Sequence, residues 1–303
     1  MNTAMDHHQA PAPEDAPLRR FARDFLRSRL AVLGLLLLLL VLLLALAAPW
    51  VAPQNPYDLS KLDLMDSRLP PGSAALAGGH FVLGSDGMGR DMWSAILYGL
   101  RVSLTVGVSS GVIALCLGAG LGVSAAFFGG RFEQMLMRLV DIQLGFPAIL
   151  VALVLIATLG KGTDKVIFAL VTVQWAYYAR TARAAALVER HKDYMEAARG
   201  LGLSRRQLLL GHLLPNTLPP LIVVATVQIA HAIALEATLS FLGLGLPATE
   251  PSLGLLIANG DEYLLSGKYW ISVYPGIALL LTILSINLVG DQLRDVLNPR
   301  LAR

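Results

Sequence analysis

Long apolar runs, separated by short polar or basic stretches, dominate the pattern of this chain. A helix crosses the apolar core of a bilayer with about 20 residues, and six apolar runs have that length. They lie near residues 30–52, 102–128, 139–160, 165–187, 217–238 and 271–290. Because only helices and closed barrels satisfy their backbone groups in lipid, the pattern predicts an all-α integral membrane protein with six transmembrane helices.

Basic residues are distributed unevenly among the segments that connect these runs. If both termini are cytoplasmic, 17 of the 24 Lys and Arg residues lie on the inner side, as the positive-inside rule requires. We therefore predict cytoplasmic N and C termini. The predicted divisions are a cytoplasmic tail (1–28), a first transmembrane helix (29–52), an extracytoplasmic loop (53–101), a core of five transmembrane helices (102–293) and a cytoplasmic tail (294–303).

Composition supports a membrane location. The 303 residues are 55% hydrophobic and only 15% charged, and the mean hydropathy is +0.61, which is outside the usual range for a soluble domain. The first run could instead be a signal peptide, since Ala45-Leu46-Ala47 resembles a cleavage site. We favour a retained helix because the run is longer than a signal-peptide core. The single cysteine, Cys116, excludes an intrachain disulfide.

A polar, basic insert interrupts the apolar pattern at residues 194–219. Asp193 with Glu196, and Ser204 with Gln207, have the spacing of capping boxes, so two helix starts are predicted about a dozen residues apart. These signals predict two short helices that meet at an angle.

Glycines and prolines set the limits of those two helices. Gly200 and Gly202 permit the left-handed backbone that ends a helix. Pro215, followed by Pro219 and Pro220, is expected to limit the second helix to a few turns.

The spacing Glu196-Ala197-Ala198, three residues, Gly202, then Leu214-Pro215 resembles the EAA loop of ABC importer permeases. In that family the loop, here about residues 189–215, is a cytoplasmic coupling helix that docks in a groove of the ATP-hydrolysing subunit. The resemblance implies that six residues couple this chain to an ATPase: Glu196, Ala197, Ala198, Gly202, Leu214 and Pro215. The sequence from His212 to Asn216 resembles the His-x-Leu-Pro-Asn of peptide-type members.

The outer loop carries a second motif, LGSDGMGRDMWSAILYGLRVSL from Leu83. It resembles the signature of C-type permeases for dipeptides, oligopeptides and nickel, the DppC/OppC-like family. Its paired carboxylates, Asp86 and Asp91, invite a metal-site interpretation. However, the spacing fits no EF-hand loop, and Arg90 between them favours a local ion-pair turn.

Further patches extend the resemblance from about Leu83 to Arg300. Two positions depart from the family pattern: Glu133 stands where Asp is usual, and Leu253 where Trp is common. The matching patches are Phe128-Gly129-Gly130, Met137-Arg138 with Asp141, Trp175 with Tyr178-Ala179-Arg180, Glu236-Ala237 with Leu239 to Gly245, Gly290-Asp291, Leu293-Arg294-Asp295 and Pro299-Arg300.

The resemblance implies a type I ABC importer permease in the bacterial cytoplasmic (inner) membrane. The implied partners are a second homologous permease, two ABC ATPase subunits, an extracytoplasmic solute-binding protein and membrane lipid. This chain would bind no cofactor, because ATP and Mg²⁺ would be used by the ATPases. The solute would be a di- or oligopeptide, with glutathione-like peptides or nickel as alternatives, since specificity lies largely in the binding protein.

Two other function classes fit the sequence less well. The best phosphate-loop candidate, Gly160-Lys161-Gly162-Thr163, has Leu155 where the motif needs Gly. The sequence also contains neither a His-Glu-x-x-His nor a Gly-x-Ser-x-Gly motif. An enzyme is therefore not favoured. An ion-coupled secondary carrier remains the alternative. Such a carrier needs acidic groups or broken helices near mid-membrane, where this sequence has few acids.

His231 and Glu236 are the ionisable residues farthest inside a predicted span, and such residues are functional candidates by default. They are five positions apart, which is about 500° around a helix, so they do not share a face. We expect one of them to line the pore or a gate. The pairs Gly107/Gly111 and Gly118/Gly122 allow close helix packing, either within one subunit or against a partner permease.

Overall fold

The computed structural model describes residues 17–297 apart from residues 59, 61, 77 and 248. Parts of both predicted tails (1–16 and 298–303) and the Pro299-Arg300 motif lie outside the described residues. The helices are α1 (Pro17–Leu26), α2 (Arg29–Val51), α3 (Met92–Phe128), α4 (Gly130–Gly145), α5 (Ala148–Leu159), α6 (Thr163–Arg190), α7 (Asp193–Gly200), α8 (Leu214–Phe241), α9 (Leu253–Asp261) and α10 (Trp270–Leu297).

Among the described residues, four continuous helices are long and apolar enough to cross a membrane: α2, α3, the helix Gln207–Phe241 that includes α8, and α10. The pair α4 and α5 would add a fifth span if the two helices are counted together. The fourth predicted run corresponds to α6, which is long enough to cross a membrane but is more polar than the four helices named above. Because α6 packs against α3, α5 and α8, much of its surface faces protein rather than lipid. The count of six spans stays a prediction.

The predicted single helix near 139–160 is wrong in one respect. It is two helices, α4 and α5, whose axes differ by 89°. The residue before a proline is pushed out of the helical region, and Phe146, before Pro147, is extended with φ −92° and ψ 140°. The break is therefore encoded by one proline inside an apolar run.

The segment 53–101, predicted as an extracytoplasmic loop, includes the first ten residues of α3, which begins at Met92. Asp91 caps this helix by accepting a hydrogen bond from the backbone N–H of Ser94 at 2.8 Å. Asp86 accepts from Arg90 Nε at 2.6 Å, and both side chains are buried. The predicted ion-pair turn is confirmed. The same segment contains a 3-10 helix (Leu64–Asp66) and a short hairpin of β1 (Ser73–Ala74) with β2 (His80–Phe81).

Glycines on α3 allow close contacts inside this subunit. A Cβ atom at Gly122 would lie 2.3 Å from the carbonyl oxygen of Ala179 on α6. A Cβ at Gly107 would lie 2.5 Å from Ile233 Cγ1 on α8. The structure therefore favours packing within one subunit for both small-residue pairs, because each pair faces a helix of the same chain.

Candidate functional site

The polar insert begins with α7, but its first predicted capping box is wrong. Asp193 is the first residue of the helix, the capping position is Lys192, and no side chain bonds a free backbone N–H there. Asp193 and Glu196 both lie in the first turn, where carboxylates favour the positive end of the helix dipole. The spacing of Asp193 and Glu196 therefore predicts the start of a helix correctly, but it places the capping residue at Asp193 instead of Lys192.

The end of α7 is as predicted. Gly202 has φ +76°, and its N–H donates to the carbonyl of Arg199 at 3.0 Å while Leu203 N–H donates to the carbonyl of Ala198 at 3.2 Å. These two bonds are a Schellman motif, which needs a residue in the left-handed conformation. Gly200 is the last helical residue.

The second capping box is confirmed. The side-chain oxygen of Gln207 accepts from the backbone N–H of Ser204 at 2.9 Å, and Ser204 Oγ accepts from the backbone N–H of Gln207 at 3.4 Å. The first helix of the insert therefore ends at Gly200, and the next one begins at this box.

The second helix is not short, so that prediction is wrong. A π-helical segment, Gln207–Leu213, leads directly into α8, and the helix continues to Phe241. Proline removes a backbone donor and crowds the preceding turn. The wider π-helical turns lie directly before Pro215, and such turns occur where a continuous helix has to accommodate a local distortion.

The insert packs on the bundle through one apolar side. Met195 and Leu213 are fully buried, and Ala198 and Leu208 are nearly so. They share a cluster with α3, α6 and the start of α8 through residues such as Val123, Ala126, Ala182, Ala186 and Leu221. The loop is thus packed directly on the ends of three long helices.

The predicted coupling residues divide between this buried side and the solvent. Glu196, Ala197, Gly202 and Pro215 are exposed, Leu214 is half-buried, and Ala198 is buried in the cluster. The structure brings Glu196 and Gly202 to the free surface of one short, capped turn. That surface is available to a partner.

A polar contact at the base of the loop was missed from the sequence. Tyr194 Oη donates to Glu189 Oε2 at 2.9 Å, and Lys192 Nζ pairs with Glu189 Oε1 at 2.6 Å. Desolvation, together with the bond to the Glu189 carboxylate, raises the pKa of Tyr194 to about 12. This contact ties α7 to the end of α6 across a sharp turn, and only the chain geometry reveals it.

A cavity of about 790 Å³ lies between α6, α8 and α10. His231 lines it together with Gln174, Tyr177, Gln228 and, near the end of α10, Asp291. Most of the remaining lining residues are apolar, and that size suits a small organic molecule.

Glu236 is not part of this cavity. It is fully buried, and its two oxygens accept hydrogen bonds from Ser103 Oγ at 2.9 Å and Ser240 Oγ at 2.8 Å. His231 and Glu236 therefore do not share a face, as the helix rotation predicts. Glu236 joins α8 to α3.

Gln174 is a polar cavity residue that sequence reasoning missed. Its Nε2 donates to the backbone carbonyl of Gln228 at 3.3 Å. Within the described part of the chain its buried Oε1 has no hydrogen-bond partner. The signal was a lone amide in the apolar run of α6.

Two ion pairs join α4 to α6. Arg180 pairs with Asp141, and Arg183 Nε donates to Glu133 Oε1 at 2.7 Å. Asp141 and Arg180, which belong to two separate family-like patches of the sequence, therefore contact each other. Glu133, the departure from the family pattern, still provides a carboxylate partner for a basic group of α6.

Comparisons with known proteins agree with this geometry. Residues 118–303 match the family described as the binding-protein-dependent transport system inner membrane component. Residues 16–71 match the N-terminal TM domain of oligopeptide transport permease C.

Full-length relatives extend these family matches. The chain is 43% identical to a putative peptide transport system permease protein of Brucella suis, over 94% of this chain and 93% of that protein. It is 40% identical to the di/tripeptide transport system permease protein DppC of Pseudomonas aeruginosa, over 97% of each chain. It is also 40% identical to the dipeptide transport system permease protein DppC of Escherichia coli, over 96% of each.

A solved structure shows the same fold. The chain matches an inward-facing structure of the MetNI methionine ABC transporter with a TM-score of 0.56 and 21% identity, over 68% of this chain and 97% of that one. This similarity extends to nearly the whole of the solved chain.

Proposed function

The chain belongs to the family of binding-protein-dependent transport system inner membrane components and is an ABC importer permease, and we propose a substrate class for it. The solute that it moves is a di- or oligopeptide. The observation that carries the substrate class is the near full-length similarity, at 40% identity, to permeases whose names specify dipeptides or di/tripeptides. The cavity beside His231 is large enough for such a solute.

The proposed assembly contains a second permease, two ABC ATPases and an extracytoplasmic solute-binding protein. ATP and Mg²⁺ would be bound by the ATPases, because this chain has no phosphate loop. The insert 189–215 and both termini would face the cytoplasm, as the distribution of basic residues favours.

The loop geometry supports a mechanical role. Its outer surface, with Glu196 and Gly202, is exposed, whereas its inner side is buried against α3, α6 and α8. Packed interiors transmit displacement because they are close-packed and resist compression. A displacement of α7 by an ATPase would therefore reach the helices that line the cavity and shift the permease between outward- and inward-open states.

The coupling proposal is tested with variants of the loop. Glu196→Arg reverses an exposed charge, and Gly202→Pro replaces a residue with φ +76° by one fixed near −65°. We expect both to abolish ATP-driven uptake of a labelled dipeptide while the chain still inserts into the membrane. Two variants are the matched controls: Glu262→Arg, a charge reversal at an exposed position outside the loop, and Gly200→Ala in the helical last turn of α7. Normal uptake by both loop variants would refute the mechanism.

Solute class is tested separately with the assembled transporter in vesicles. Uptake of labelled dipeptide, glutathione and nickel ion is compared for wild type and for His231→Leu, which changes the cavity without touching the loop. Accumulation of the peptide, with reduced uptake in the variant, supports the proposal. Accumulation of nickel or glutathione alone would reassign the solute.

A further inference from the structure

A basic pocket lies beside the inner ends of α3 and α6 and is separate from the central cavity. Its volume is about 360 Å³, and its lining residues are Phe127, Phe128, Arg190, Arg199, Arg205 and Leu208. The three arginines come from three different parts of the chain: the last turn of α6, the last turn of α7, and the start of the helix that follows Ser204.

These arginines are left without acidic partners in the described part of the chain. Arg190 is held in place because its Nη1 donates to the backbone carbonyl of Ala126 at 2.7 Å. Arg199 and Arg205 are exposed and make no ion pair with a described residue. No acidic side chain lines the pocket. Glu133, whose carboxylate lies near Arg190 at Gly129, is already paired with Arg183.

Like charges that converge without a counter-charge repel one another, so the pocket is electrostatically incomplete. An arginine cluster of this kind is the usual binding site for a phosphate group, because each guanidinium presents several donors in a planar fork. The ligand should therefore carry negative charge and accept hydrogen bonds from at least two guanidinium groups.

The aromatic side of the pocket indicates where that ligand comes from. Phe127 and Phe128 are the last residues of the membrane-spanning helix α3. Phe128 is 58% exposed, and its ring contacts those of Phe127 and Phe132 edge to face, at 5.2 and 6.5 Å between centroids. With 37 residues, α3 is longer than the roughly 30 Å apolar core of a bilayer, so the end of the helix that follows its apolar run can reach the headgroup region. The pocket thus combines an apolar wall, formed by the last residues of an apolar helix, with a basic wall formed by three arginines.

We propose that this pocket binds the headgroup phosphate of an anionic phospholipid of the inner leaflet, with Arg190, Arg199 and Arg205 on the phosphate and an acyl chain beside Phe127 and Phe128. This proposal rests on the cytoplasmic placement of the loop in the proposed function. Basic pockets at the cytoplasmic ends of transmembrane helices bind such headgroups.

A bound phosphate would connect the loop to the bundle. Arg190 belongs to α6, whereas Arg199 and Arg205 belong to the two helical parts of the insert. One anion shared by all three would hold α7 and the start of the following helix against α6. The lipid would therefore restrict the movement of the same element that the ATPase is proposed to move.

The test measures lipid binding to the full-length chain with whatever subunits co-purify. Native mass spectrometry from mild detergent counts bound phosphatidylglycerol against phosphatidylcholine with identical acyl chains, for wild type and Arg199→Gln/Arg205→Gln. The control is Arg131→Gln/Arg138→Gln, which removes the same charge from exposed positions of α4 outside the pocket. We expect the pocket variant to lose roughly 30-fold in apparent affinity for phosphatidylglycerol, and wild type and control to retain it.

Three results would overturn the proposal. The first is equal phosphatidylglycerol binding by the pocket variant and wild type. The second is displacement of the lipid from wild type by millimolar inorganic phosphate, which would indicate a free-anion site. The third is loss of a co-purifying ATPase from the pocket variant with unchanged lipid binding, which would assign the arginines to an acidic surface of that subunit. These measurements require neither ATP nor solute, so their failure is distinct from failure of the uptake experiments.

Discussion

Replacement of Gly122 by alanine tests the packing of α3 on α6. A Cβ atom at this position would lie 2.3 Å from the carbonyl oxygen of Ala179 and 2.9 Å from Ala182 Cβ. Real Cβ contacts are not shorter than about 3.0 Å, so the two helices must separate by several tenths of an ångström. Because the nearest atom belongs to the backbone, no side-chain rotation can relieve the overlap.

The same helix provides a matched control. Gly120, two residues earlier, has no atom within 4 Å of an added Cβ and is exposed. Both Gly→Ala substitutions stabilise the helix by the same gain in helix propensity, up to about 1 kcal/mol. Only in Gly122→Ala must the neighbouring helix move to make room for the new Cβ atom. Overpacking a well-packed interior typically costs about 1–3 kcal/mol. The difference between the two variants therefore isolates the contact and should be about 1–3 kcal/mol.

The assay is equilibrium unfolding of the purified chain in mixed micelles with increasing denaturing detergent, followed by circular dichroism. We expect Gly120→Ala to be as stable as wild type or slightly more stable, and Gly122→Ala to be less stable than Gly120→Ala by that difference. Equal stability of the two variants would show that α3 and α6 are not in backbone contact at Gly122. In that case the small-residue pair would be reassigned to a partner subunit.

Three further predictions follow from buried or loop contacts. Asp86→Ala leaves the buried Arg90 guanidinium without its partner and should lower the free energy of unfolding by about 3–5 kcal/mol, whereas Asp86→Ala with Arg90→Met should restore most of it in the same unfolding assay. Glu236→Leu should cost about 1–3 kcal/mol because two buried hydroxyls lose their acceptor, while Glu236→Gln should retain near wild-type stability. Because the pKa of Tyr194 is raised to about 12, its protonated form stabilises the loop, and this contribution to stability is complete below about pH 10 and lost as pH rises through 12. In an alkaline spectrophotometric titration, Tyr194→Phe should remove the tyrosinate absorbance that appears near pH 12. Loss of an absorbance change near pH 10 instead would contradict the contact with Glu189.

The hydrophobic pattern predicts where the long helices lie but not how they bend. The break at Phe146-Pro147 separates α4 from α5 by 89° inside one apolar run, because a single proline changes backbone geometry without changing hydropathy. Conversely, Pro215 does not end the second loop helix, because the π-helical turns before it absorb the distortion. Proline predicts that a helix is disturbed there, and packing decides whether it breaks.

Sequence motifs predict contacts between neighbouring residues better than they predict which side chains face the cavity or another helix. The Ser204/Gln207 box and the left-handed Gly202 depend on neighbouring residues only, so the sequence is sufficient for both. The position of His231 in a cavity and of Glu236 outside it depends on which helices pack around α8. The pair Tyr194 and Glu189 likewise becomes visible only when the chain turns between α6 and α7.

The packing beneath the loop determines how the proposed coupling of this short element to the long helices would work. Met195 on α7 and Leu213 in the π-helical segment are both fully buried in one cluster with α3, α6 and α8. A rotation of α7 that kept the bundle fixed would expose these side chains, at a cost of roughly 1.5–3 kcal/mol for each large apolar side chain. Movement of the loop together with the helix ends preserves that burial. The lower-energy response to a force on Glu196 is therefore a collective shift of the helices, and α6 and α8 carry that shift to the walls of the cavity.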